Sequence, residues 1–126
     1  MKLPDWDREF LERAGIAHRV FEDGGMLNVE LIDFPLPAGL NTPTASVLFR
    51  LSASYPDVAP DMWWVVPHLE RADGRGIPAT ESFETYDGRT WQRWSRHLDP
   101  GAWRPGIDGL ESYVRLLRNE LGSAAA

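Results

Sequence analysis

Ser95, His97 and Asp99 stand at alternate positions of the run Trp94-Ser95-Arg96-His97-Leu98-Asp99, with Arg93 and Arg96 beside them. A serine hydroxyl becomes a nucleophile when a neighbouring base takes its proton. On an extended segment, side chains two residues apart point the same way. His97 is then placed to act as that base, and Asp99 to orient the imidazole. The guanidinium groups of Arg93 and Arg96 would favour an alkoxide or oxyanion nearby. The same run is equally compatible with an inert loop serine, because serine near histidine is common by chance.

The surrounding stretch carries a second signal. Arg89, Arg93, Arg96 and Arg104 face a single acid, Asp99, and Trp91 and Trp94 are interleaved with them. Aromatic rings between cations can stack on single-stranded nucleic acid. Tryptophan and arginine also dominate protein–protein hot spots. The chain as a whole has a formal charge of −6, which disfavours phosphate binding as the main activity and favours a protein partner for Trp91, Arg93, Trp94 and Arg96. The plainer alternative is that the two indoles fill the interior.

Other candidates are weaker. His68 follows a proline at a strand end and reads as a polar cap, and His18 reads as structural. Three scattered histidines with no cysteine make a poor metal site, although His68 with Asp73 and His97 with Asp99 are the pairs to inspect; no metal and no cofactor are expected. Gly74-Arg75-Gly76 lacks the lysine and the strand-to-helix context of a phosphate loop and reads as a turn. The absence of cysteine removes disulfides, thiolate ligands and a thiol nucleophile.

The elements that must position these residues can be read from periodicity. Asp5 is placed to cap a helix over about 5–14, with Trp6, Phe10, Leu11 and Ala14 at helical spacing and Gly15 as its stop. Segments 19–22 and 27–34 flank Gly24-Gly25 as a hairpin, and Leu27, Val29 and Leu31 alternate with Asn28 and Glu30. Proline and glycine make 34–44 a loop. A third strand spans 45–53 and a fourth spans 62–67. From 67 to 105 no regular pattern emerges, yet Trp91, Trp94 and Trp103 argue for a packed, ordered loop. Asp108 with Glu111 suggests a capping box for a helix in which Leu110, Val114, Leu117 and Leu121 share a face and Gly122 is the end. Residues 122–126 read as a frayed tail. The expected architecture is one α+β domain over 1–126, with its core in about 5–121: an N-terminal helix, a four-stranded antiparallel meander, a long ordered loop and a C-terminal helix. No run approaches the roughly 20 apolar residues of a membrane span. Without such a run or a signal peptide, a cytoplasmic protein is expected.

In that setting, Tyr55-Pro56-Asp57-Val58-Ala59-Pro60, running into an aromatic strand and Pro67, resembles the ubiquitin-conjugating (UBC) fold. Trp103-Arg104-Pro105, followed by Gly106, Ile107, Asp108 and a helix, is similar to the Trp-Ser-Pro segment after the UBC active site. In that family the catalytic cysteine precedes the tryptophan by eight residues, which falls here on Ser95. The tryptophan-rich wording resembles the divergent prokaryotic UBC-like family found beside ubiquitin-like proteins and activating-enzyme homologues. The chain departs from the family in lacking the cysteine and the His-Pro-Asn motif: Pro67-His68 is the nearest echo, and no asparagine lies between Asn41 and Asn119.

The resemblance implies acyl transfer in a conjugation pathway. Thioester chemistry is excluded without a thiol, so Ser95 would carry the ubiquitin-like C-terminus as an oxyester, with His97 as base. The alternative is a catalytically inactive adaptor that binds a ubiquitin-like protein or its activating-enzyme (ThiF-like) homologue non-covalently. The first helix would contact the activating enzyme through Trp6, Arg8 and Arg13. A single lysine against twelve arginines would spare a carrier of activated carboxyl groups from self-modification, but GC-rich coding gives the same bias.

Overall fold

A computed structural model describes all 126 residues. The first helix, α1, covers Asp5–Arg13. Its N-cap is Pro4, whose carbonyl accepts from the Asp7 and Arg8 amides, and Asp5 is the first helical residue, not the cap. The C-terminal end behaves as expected. Gly15, at φ 68°, donates to the Glu12 carbonyl while Ile16 donates to Leu11, the paired bonds of a Schellman motif.

Six strands form one antiparallel sheet: β1 (His18–Asp23), β2 (Met26–Pro35), β3 (Thr44–Leu51), β4 (Trp63–Val66), β5 (Phe83–Tyr86) and β6 (Arg89–Trp94). The spatial order is β1-β2-β3-β4-β6-β5. The β1–β2 hairpin turns through Gly24 and Gly25, both at positive φ, as a two-residue type I′ turn requires. In β2 the register slips between Leu31 and Phe34, where Asp33 adopts φ 48°. This bulge lets Phe34 rejoin the buried face that Leu27, Val29 and Leu31 line.

The expectation of four strands is corrected to six. The chain from 67 to 105 is not irregular throughout, since β5 and β6 form a hairpin inside it and β6 pairs with β4. Its turn is Asp87-Gly88, with φ 54° and 72°, a second two-residue turn of the same kind.

The second helix, α2, runs over Leu110–Ala125. Its start corrects the expected capping box. Asp108 accepts from the backbone amide of Arg104, while the Leu110 amide donates to Asp7 Oδ1 on α1 at 2.9 Å. Asp7 Oδ2 accepts from the Tyr55 hydroxyl at 2.7 Å, so one buried carboxylate joins α1, the Tyr55 turn and α2. A Cβ on Gly109 would lie 2.7 Å from Asp7 Oδ1, which reserves that position for glycine. The helix also passes through Gly122 and includes most of the expected tail. Alanine is the best helix former, and Arg71 Nη1 donates to the Ala124 carbonyl.

Both helices pack on one sheet face. Phe10, Leu11, Leu110, Tyr113, Val114 and Leu117 meet Leu27, Val29, Val47, Phe49, Trp63, Val65 and Trp94 in the main core. The opposite face has a smaller cluster of Leu48, Trp64 and Trp91. Around it lies a lattice of charges. Glu30, only 4% exposed, accepts two bonds from Arg89, at 2.6 and 3.0 Å, and one from Arg19. These bonds, those of Arg89 above all, hold the Glu30 carboxyl below its usual pKa against the opposing cost of burial. Asn28, which alternates with Leu27 and Val29 along β2, is buried too and accepts from Arg50. No helix is long and apolar enough to cross a membrane.

Candidate functional site

Ser95 follows the last residue of β6. The Ser95 amide donates to the Ala79 carbonyl and the Arg96 amide to the Trp94 carbonyl, a three-residue turn centred on Ser95. Such turns are frequent at strand ends. The extended alternation that would place Ser95 and His97 on one face is therefore broken at Ser95. No hydrogen bond joins them. Instead, His97 Nδ1 lies 2.7 Å from Asp61 Oδ1. Asp61 belongs to the segment before β4, and the Met62 amide donates to the Arg96 carbonyl beside it. Asp99 is exposed; its backbone carbonyl accepts from Ala102, and its carboxylate forms no hydrogen bond with His97 or Ser95.

The cations around the serine are each held by an acid. Arg93 pairs with Glu84 at 3.3 Å, Arg96 with Glu120 at 2.7 Å, Arg89 with Glu30 and Arg104 with Asp108. The surplus of positive charge apparent along 89–104 is thus cancelled by acids that lie outside that segment. That removes both the free oxyanion-stabilising cations and the electrostatic basis for nucleic-acid binding. Trp91 and Trp94 are 0% exposed. They sit on opposite faces of the sheet, with Trp91 Nε1 donating to the Tyr86 carbonyl and Trp94 Nε1 to Gln92 Oε1. Interior packing accounts for both indoles, and neither presents a surface to a partner in this conformation.

On α1 the positions differ. Trp6 is 40% exposed, Arg8 pairs with Asp5 and Glu12, and Arg13 pairs with Glu111 on α2. All three are exposed but they do not share one face: Trp6 and Arg8 lie on opposite flanks of the helix, and the Arg13 guanidinium lies 5.9 Å from the centre of the Phe10 ring.

Trp103 anchors the segment after Ser95. Its Nε1 donates to the Pro56 carbonyl at 2.8 Å and its ring packs near Tyr55. Behind it, Leu98, Ala102, Trp103, Tyr113 and Leu116 line a cavity of about 170 Å³ against α2. The two segments 56–62 and 95–107 are consequently joined three times, by Trp103–Pro56, His97–Asp61 and Met62–Arg96. Each carries an aliphatic side chain in solvent: Val58 is 52% and Ile107 66% exposed.

Two amide side chains of structural importance have no distinctive sequence signal. Gln92 accepts from the Leu69 amide and donates to the Leu69 carbonyl, while Asn41 accepts from the Glu70 amide and donates to the His68 carbonyl. They clamp residues 68–70, just beyond β4. His68 lies edge-on to Phe83 rather than beside Asp73.

Compared with known proteins, the chain matches the family described as prokaryotic E2 family E over residues 3–124. No curated protein and no solved structure matches it.

Proposed function

The chain belongs to prokaryotic E2 family E, and from that premise we propose that it serves a ubiquitin-like conjugation pathway as a non-covalent, UBC-like adaptor. It holds a ubiquitin-like protein and the activating-enzyme homologue without itself becoming acylated. The observation that carries this reading is the turn at Ser95, where the hydroxyl has no hydrogen bond to His97 while His97 is engaged by Asp61. A serine hydroxyl without a base is a poor nucleophile at neutral pH. Supporting it, Arg93 and Arg96 are committed to Glu84 and Glu120.

The partner surfaces follow from exposure. The joined segments bearing Val58, Asp61, His97 and Ile107 offer aliphatic anchors with a polar pair between them, a mixture suited to a protein interface. The exposed α1 residues Trp6, Arg8 and Arg13 are assigned to the activating enzyme by the family resemblance.

A second reading keeps the oxyester on Ser95. Ser95 is half-buried, not sealed, and it stands eight residues before Trp103. In that version His97 would be the base and Asp61, not Asp99, would orient it; loop rearrangement would bring His97 to the hydroxyl, since catalytic bonds are often long in unliganded proteins.

Calorimetric titration separates association from its absence. A cognate ubiquitin-like protein should bind saturably, and Ile107→Asp should weaken it at least tenfold. Trp6→Ala should weaken the activating enzyme and leave the ubiquitin-like protein unaffected. Lack of binding to either partner would overturn the proposal.

A further inference from the structure

The ion pairs leave a remainder. Lys2, the N-terminal ammonium group and every arginine but two form an ion pair with a carboxylate. The exceptions, Arg115 and Arg118, are three residues apart on α2, and both are exposed. Residues at this spacing neighbour one another on a helix. In a chain of net charge −6, the only uncommitted arginines therefore share one patch.

Arg118 is also positioned. Its guanidinium lies 5.2 Å from the centre of the Phe34 ring, within the range of a cation–π contact. Beside it is a hollow of about 310 Å³ lined by Pro35, Leu36, Pro37, Leu121 and Arg118, in which the guanidinium is the only charged group. An adjoining hollow of about 200 Å³, on the α1 side, shares Pro35 and Arg118 but includes Asp33. Negative charge is thus favoured in the first and opposed in the second. Apolar walls with one unpaired cation complement a carboxylate carried next to an aliphatic group.

We propose that this hollow binds an acidic peptide segment of a protein partner, with an Asp or Glu carboxylate on Arg118 and an adjacent aliphatic side chain against Leu36, Pro37 and Leu121. Arg115 adds favourable potential for further acids in the segment. The site lies on the flank of α2 opposite Leu116 and Glu120, which face the Ser95 segment, so it does not depend on the adaptor reading.

Amide and arginine Nε NMR spectra of the ¹⁵N-labelled chain, titrated to millimolar peptide, provide the test. The probes are acetyl-Leu-Glu-Leu-Glu-Leu-amide and its Leu-Gln-Leu-Gln-Leu counterpart. Shifts should concentrate at Leu36, Leu121 and Arg118 Nε with the glutamate peptide, and the glutamine peptide should bind at least tenfold more weakly. Arg118→Gln should lose at least tenfold in affinity while its remaining spectrum stays unchanged, and Arg118→Lys should recover part of it. Equal binding of the two peptides, shifts centred elsewhere, no shifts at all, or broadening with protein concentration alone that marks the hollow as a self-association face would each overturn the proposal.

Discussion

His97 Nδ1 and Asp61 Oδ1 are 2.7 Å apart, across thirty-six residues of chain. The contact ties the segment before β4 to the segment after β6, and it places the nearest histidine to Ser95 in another partnership. Both members are about two-thirds exposed, so solvent screens the pair and its contribution to stability is small. His97→Ala and Asp61→Asn should each change unfolding free energy by no more than about 1 kcal/mol, measured by urea denaturation. A larger loss would make the pair a structural clasp and not a surface feature available to a partner.

Glu30 provides a pH-dependent prediction. Its carboxyl is held below the ordinary value, chiefly by Arg89, so the folded state binds its proton less readily than the unfolded chain. The resulting stabilisation is present above the unfolded pKa of about 4.3 and is lost as pH falls through the lower folded value. Glu30→Gln should cost about 1.5–3 kcal/mol at pH 7 and flatten the stability profile below pH 5, as followed by denaturant midpoints. Asp7 opposes this trend, because burial raises its pKa despite the bonds from Leu110 and Tyr55. Its contribution therefore declines as pH rises through the folded value. An unchanged acid slope in Glu30→Gln would contradict the role given to the Arg89 pair.

Gln92 makes three buried hydrogen bonds, two to the Leu69 backbone and one from Trp94. Gln92→Leu leaves the Leu69 amide and carbonyl unpaired in the interior, at a cost of about 2–4 kcal/mol. Hydrogen exchange should show the Leu69 amide losing protection more than the amides of β2. Equal loss across the sheet would indicate global destabilisation without a local clamp.

What sequence patterns revealed here follows from the range of the forces involved. Gly15 as the stop of α1, the Gly24-Gly25 hairpin and the inward face of α2 depend on local φ preference and periodicity, and all were legible. The β5–β6 hairpin had its signal in Asp87-Gly88, but β5 is an edge strand of exposed and half-buried residues, and β6 carries Trp91 and Trp94 on opposite faces. No simple alternation marked either strand. The capping of α2 by Asp7 joins positions more than a hundred residues apart, beyond any local pattern. The site failed to assemble as expected for a similar reason. Counting charges along 89–104 omits Glu30, Glu84 and Glu120, and inferring Ser95–His97 proximity assumes an extended backbone where the structure has a turn.

The most direct test of the adaptor assignment is the intact mass of this chain after incubation with a cognate ubiquitin-like protein, its activating-enzyme homologue and ATP, under conditions where the three associate. The mass should remain that of the unmodified chain while the partners co-elute with it. A hydroxylamine-sensitive adduct of one ubiquitin-like protein, absent in Ser95→Ala, would contradict the account and establish Ser95 as an acyl carrier.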